Sequence, residues 1–141
     1  MEISDVRRRL TQTFERARRE AAGRRARHDE AAREYALFLE RVAVPVFRQV
    51  ANVLRTEGYA FRVFTPSESV RLMSEARADD YIELSLDTSG GHPSVMGATR
   101  LARGRRVVES ERRLGTQPIP ELTEEDVLNF LLTELEPFVV R

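Results

Sequence analysis

The chain has 141 residues, 41% of them apolar and 33% charged, with 23 basic side chains balanced by 23 acidic ones. That size and mixture suit one folded domain with an appendage and argue against a disordered chain. Cysteine is absent and every basic residue is arginine, which removes disulfides, thiolate catalysis, sulfur-based zinc sites, an imine-forming lysine and the lysine of a phosphate-binding loop.

The arginine bias runs through the whole chain beside frequent alanine, as a coding sequence rich in G and C would produce, so the placement of arginine informs more than its abundance. Placement is uneven. Residues 1–41 hold eleven arginines against eight carboxylates, residues 42–108 nine against seven, and residues 109–141 three against eight, giving +3, +2 and −5. A basic beginning and an acidic end attract each other within one chain or between copies, less so as salt is raised. No apolar run approaches the roughly 20 residues that cross a bilayer. The triplet Arg7, Arg8 and Arg9 is followed by LTQTFERARRE, neither an apolar core nor acid-free, so it does not read as a targeting signal. A cytoplasmic location without membrane attachment is the resulting expectation.

Ser4 and Asp5 read as a helix start, and before Pro45 only Gly23 argues against one long helix. Phe14, Ala17, Ala21, Arg24, His28, Ala31, Tyr35, Phe38 and Val42 recur at alternating steps of three and four, one stripe at heptad spacing. Leu10 and Ile3 extend it backwards. A helix from Asp5 to Ala43 would run nearly 60 Å at about 1.5 Å per residue. A compact unit of about 100 residues has a radius of gyration near 13 Å, so the helix must project or fold back as a hairpin at Gly23. Pro45 should kink it or start a second helix ending at Gly58.

Strand-like runs follow at residues 59–65, 70–74, 81–87, 95–101 and 106–113. The clearest is YIELSLD, where Ile82, Leu84 and Leu86 face one way and Tyr81, Glu83, Ser85 and Asp87 the other. Short connections favour an antiparallel meander, since parallel neighbours need long crossovers. Thr123 and Asp126 mark a capping-box-like start to VLNFLLTELEPFVV, a helix with a row at Val127, Leu131 and Leu135 widened by Leu128, Leu132 and Val139, and with Phe130 off that face. The expected fold is α+β: a projecting helical arm at 1–43, one helix or a hairpin, then a domain at 44–141 with a helix, about five antiparallel strands and a C-terminal helix.

Chemistry is sparse. His28 lies on the stripe, where a polar interruption more often sets register or faces water in a loosely packed coil than binds a ligand. His92 sits in DTSGGHPS with Asp87 and Ser89, a candidate small-ligand loop whose glycines also suit an ordinary hairpin connection. Asp79 and Asp80 suit a turn, Glu109 and Glu111 share a strand face, and Glu124 to Asp126 occupy a helix N-terminus, where negative charge is favourable. The alternating Glu83, Ser85 and Asp87 beside Arg100 and Arg106 read as a water-facing sheet with cross-strand charge pairs. No catalytic, cofactor or metal-binding residue is assigned.

The arm has two readings. Of its eleven arginines nine have a carboxylate three or four residues away, which supports a helix and partly neutralises it. Residues 5–33 still carry ten arginines against five carboxylates, a net +5. Nonspecific nucleic-acid or polyanion binding, with Arg7, Arg8, Arg9, Arg18 and Arg25 as candidate contacts, is therefore the alternative. The leading expectation starts from the stripe: a noncatalytic assembly module, a homodimer or a binder of a helical partner, that buries its seam in coiled-coil fashion.

Overall fold

The computed structural model describes residues 1–77 and 79–140 of the chain. Helix α1 spans Ile3–Phe38 and passes into a π-helical turn, Leu39–Ala43, then helix α2, Val44–Thr56. At about 1.5 Å per residue this helical run is some 80 Å long. It does not break at Gly23, so the hairpin alternative is set aside. Alanine, arginine and glutamate dominate this stretch, and all three are strong helix formers. The helix begins one residue before Ser4, with Glu2 at the cap and Asp5 in the first turn, where its charge favours the positive end of the helix dipole.

Pro45 stands in the first turn of α2, so a second helical segment does start there, without a gap in the helical backbone. Val44, whose helical geometry a following proline disfavours, keeps φ −60° and ψ −46°, and its amide reaches back five residues to the Leu39 carbonyl. The wider turn accommodates one extra residue just ahead of the proline, whose missing N–H and bulky ring would strain a regular helix. Helix α2 ends as the sequence implies: Gly58 takes φ +88°, and the amide of Tyr59 donates to the Leu54 carbonyl at 2.8 Å.

Strands β1 (Phe61–Phe64), β2 (Ser69–Ser74), β3 (Tyr81–Asp87), β4 (Ser94–Arg103) and β5 (Arg106–Arg113) form one antiparallel sheet in chain order. The longest hairpin, β4 to β5, closes from Arg103 to Arg106 over a two-residue turn in which Gly104 has φ +61°. A short 3-10 turn at Ile119–Glu121 leads to helix α3, Glu124–Val140. Its capping box is reciprocal: the amide of Thr123 donates to the Asp126 carboxylate at 2.8 Å, and the amide of Asp126 donates to the Thr123 hydroxyl at 3.2 Å.

Helix α2 lies over β1 and β2, helix α3 over β3 and β4, and the two helices touch. The core between helices and sheet takes Leu72, Ile82, Leu84 and Val95 from the strands and Phe47, Val127 and Leu131 from the helices. It also takes Tyr35, Phe38 and Ala43 from the segment grouped with the arm on sequence grounds. The outer sheet face is polar. There Arg71 pairs with Glu83 across β2 and β3 and stacks 4.0 Å from the centre of the Tyr81 ring. Arg100 faces Glu109 across β4 and β5 at 3.5 Å. Arg106, taken as a neighbour of Glu83, stands instead opposite Arg103 at the far end of the hairpin.

Phe130 corrects the reading of the last helix. It is buried, whereas Leu128, Leu132 and Val139 are exposed. The reason is Gly97, the β4 residue beneath the Phe130 ring, where any side chain would collide with that ring. A glycine in a strand marks close approach of a neighbour, and here it turns α3 by part of a turn from the orientation its leucines suggest.

Candidate functional site

The arm's stripe divides in two. Ala31, Tyr35 and Phe38 are buried against their own domain and Val42 is partly buried. Tyr35 is only 3% exposed, and its hydroxyl donates to the backbone carbonyls of Glu68 at 2.9 Å and Leu84 at 3.3 Å. Burial first, then the nearby Glu83 and Glu68 carboxylates, push the phenol's pKa above its ordinary value. Glu68 itself has φ +61°, a conformation costly for a residue with a side chain, and the Tyr35 bond holds it there. These residues root the arm and are not free for a partner.

The other half of the stripe is open. Phe14, Ala17, Arg24 and His28 are exposed and Ala21 is partly covered. Ahead of them Ile3, Val6 and Leu10 continue the apolar face, with Leu10 49% and Phe14 53% exposed. Val6 escaped the sequence reading because the strict heptad step from Ile3 lands on Arg7. The free face therefore runs from Ile3 to Ala21, about 27 Å of helix at 1.5 Å per residue. Arg7, Arg8, Arg9, Arg18 and Arg25 are all exposed around it. Among the described residues the arm's arginines form ion pairs at Arg8 with Asp5, 3.1 Å, and at Arg33 with Glu30. That is much less neutralisation than the spacing of charges implies.

A second apolar surface lies between the last two helices. Between α2 and α3 a groove of about 560 Å³ opens among Val50 and Val53 of α2 and Leu128 and Leu132 of α3, with the buried Val46 and Leu135 also lining it. Val53 is 61% and Leu132 58% exposed. Its charged lining residues are both acidic, Glu124 and Glu125. The signal was present in the sequence: α3 holds more leucine than one buried face requires, and leucines lying off the core face must cover something else or stay wet.

The 87–94 loop is divided between two settings. Asp87 accepts the amide of Ser89 at 2.9 Å and its hydroxyl at 2.6 Å, bonds that hold the carboxyl below its usual pKa. This is a self-contained turn. His92 instead borders a hollow of about 380 Å³ between the arm's root and the loop before α3, with Arg27, Glu30, Glu34 and Arg113 around it. Burial, followed by the neighbouring Glu30, raises the Glu34 pKa. Asp87, Ser89 and His92 therefore do not converge on one ligand position. Among the described residues no group of three or more histidine or carboxylate side chains could hold a metal, and no helix is long and apolar enough to cross a membrane.

The class of protein that these features define is an α+β meander domain carrying a long, basic, half-exposed amphipathic helix. No family model matches the chain, and searches of curated proteins and of solved structures find no match either.

Proposed function

We propose that this protein is a noncatalytic cytoplasmic assembly module that self-associates through the arm's free apolar face. One observation carries the reading: Ile3, Val6, Leu10 and Phe14 lie on one side of a helix that its own domain covers only from Ala31 onward. Apolar side chains aligned over several turns and left in water gain free energy by finding a second surface, at about 25 cal/mol per Å² removed from solvent. The arm points away from its own domain, so that surface belongs to another molecule. Arg24 and His28 on the same face limit how far the contact can extend and restrict its register.

Light scattering tests the reading on the full chain and on L10E/F14E. Cutting the chain at Val44 would be a poor comparison, because it removes Tyr35 and Phe38 from the core. The full chain is expected to be a dimer and L10E/F14E a monomer with unchanged circular dichroism; a full chain that stays monomeric overturns the assembly role.

The sparse ion pairing along the arm favours a second reading, nonspecific binding of nucleic acid or another polyanion. Its signature is affinity for duplex DNA that falls steeply with salt and weakens further when Arg7, Arg9, Arg18 and Arg25 are replaced by glutamine. Absence of binding at about 0.05 M salt, where a Debye length of roughly 14 Å leaves electrostatic attraction little screened, removes it.

A further inference from the structure

The open half of the arm and the groove between α2 and α3 are both exposed apolar surfaces, and they carry opposite charge. Residues 6–19 hold six arginines against one glutamate, a net +5; helix α3 holds five carboxylates and no arginine, a net −5. Glu134 is engaged by Arg112 and Asp126 by its capping box, but Glu124 and Glu125 stand at the groove itself. A cationic amphipathic helix and an apolar groove with an acidic rim are the two halves of a helix-in-groove contact, in which anchors at i, i+4 and i+8 enter the groove and flanking charges meet its edges.

The dimensions agree. Val6, Leu10 and Phe14 span about 12 Å along their helix, and the stretch of α3 from Glu124 to Leu135 that lines the groove runs about 16 Å. A chain cannot fill its own groove: about 40 residues of continuous helix, some 60 Å, separate Leu10 from Val50. Two copies can. If their helical rods run antiparallel about a twofold axis level with residue 30, Leu10 of each copy stands level with Val50 of the other, so that one operation serves both grooves.

From this complementarity we infer that the α2–α3 groove is the acceptor for residues 6–14 of a second copy, so that the dimer is held by reciprocal arm-in-groove contacts rather than by two arms paired with each other. The inference rests on the assembly role proposed above and names where the arm docks. Pairing arm with arm would set two segments of net +5 side by side; docking in the groove sets each against the acidic helix.

Mixing two full-length variants separates the two. L10E/F14E spoils the arm and leaves the groove, whereas V53R/L132R places two cations in the groove and leaves the arm. All four positions are exposed, and circular dichroism checks that both variants fold. In sedimentation velocity each variant alone should be monomeric. Their equimolar mixture should recover association, because the intact arm of one meets the intact groove of the other, more weakly than the parent dimer since one contact of two remains. A dimeric V53R/L132R beside a monomeric L10E/F14E overturns the groove while leaving the assembly role standing. Two monomeric variants that fail to complement each other overturn it as well. A monomeric parent, or a dimeric L10E/F14E, defeats both the docking site and the role on which it rests.

Discussion

Tyr35 joins the arm to the sheet with one hydroxyl shared between two carbonyls. Replacing it by phenylalanine keeps the packing but leaves the Glu68 and Leu84 oxygens without that donor, a loss of about 1 kcal/mol in unfolding free energy at pH 7. The sign of its pH dependence follows from the raised pKa. In the unfolded chain the phenol ionises near pH 10; in the fold it ionises higher, so its contribution is complete below about pH 10 and is lost as the pH climbs past that value. Urea titrations at pH 7 and pH 11 should show the gap between parent and Tyr35→Phe narrowing at the higher pH, and a constant gap would contradict this. Gly97 has the opposite character, since its importance is the absence of a side chain. A methyl group there meets the Phe130 ring, so Gly97→Ala should cost about 1 to 3 kcal/mol by overpacking. Adding Phe130→Leu should cost less in the Gly97→Ala background than in the parent, a coupling that a double-mutant cycle reads directly.

The π-helical turn before Pro45 sets how α2 faces the sheet. Arg41 within it is exposed, and its side chain is dispensable by the usual standard for surface positions, so Arg41→Ala should change stability by less than about 0.5 kcal/mol. Deleting the residue altogether is a different matter. Removal of one residue lets the turn close as a regular helix, since the wide turn already absorbs that residue; α2 then keeps its phase relative to α1, but the Pro45 ring meets the carbonyl four residues before it. Thermal unfolding should show a loss of about 3 kcal/mol, the scale of a proline inside a regular helix. Elements whose limits depend on nearby punctuation were readable in advance: YIELSLD and residues 106–113 form strands over the expected spans, and Gly58, Gly104 and the Thr123–Asp126 box act where their chemistry suggests. The orientation of α3 was not, because Gly97, on another element, decides it.

The assembled molecule is a charge dipole, with a basic rod at one end and an acidic helix at the other, and salt should therefore report how copies meet. Arms docked in acidic grooves lose attraction as ions screen them, so the dimer dissociation constant should rise between 0.05 and 0.5 M salt, the range over which the Debye length falls from roughly 14 to 4 Å. Arms paired with each other would behave in reverse, since screening relieves repulsion between segments of like charge. Sedimentation equilibrium across that range distinguishes the two by sign alone.

Periodicity, turn chemistry and charge are local properties, which is why the chain order of helices and strands, the antiparallel meander, the basic arm and the acidic tail could all be read from residues alone. Burial is not local. The stripe from Phe14 to Val42 has one uniform spacing, yet its second half is core and its first half is surface, because the 3-10 turn at Ile119–Glu121 and the backbone at Glu68 and Leu84 meet only the turns from Ala31 onward. The groove lined by Val53, Leu128 and Leu132 likewise exists because α2 and α3 lie side by side over the same sheet. Such surfaces arise from how far one element reaches across another, a distance that no stretch of sequence contains.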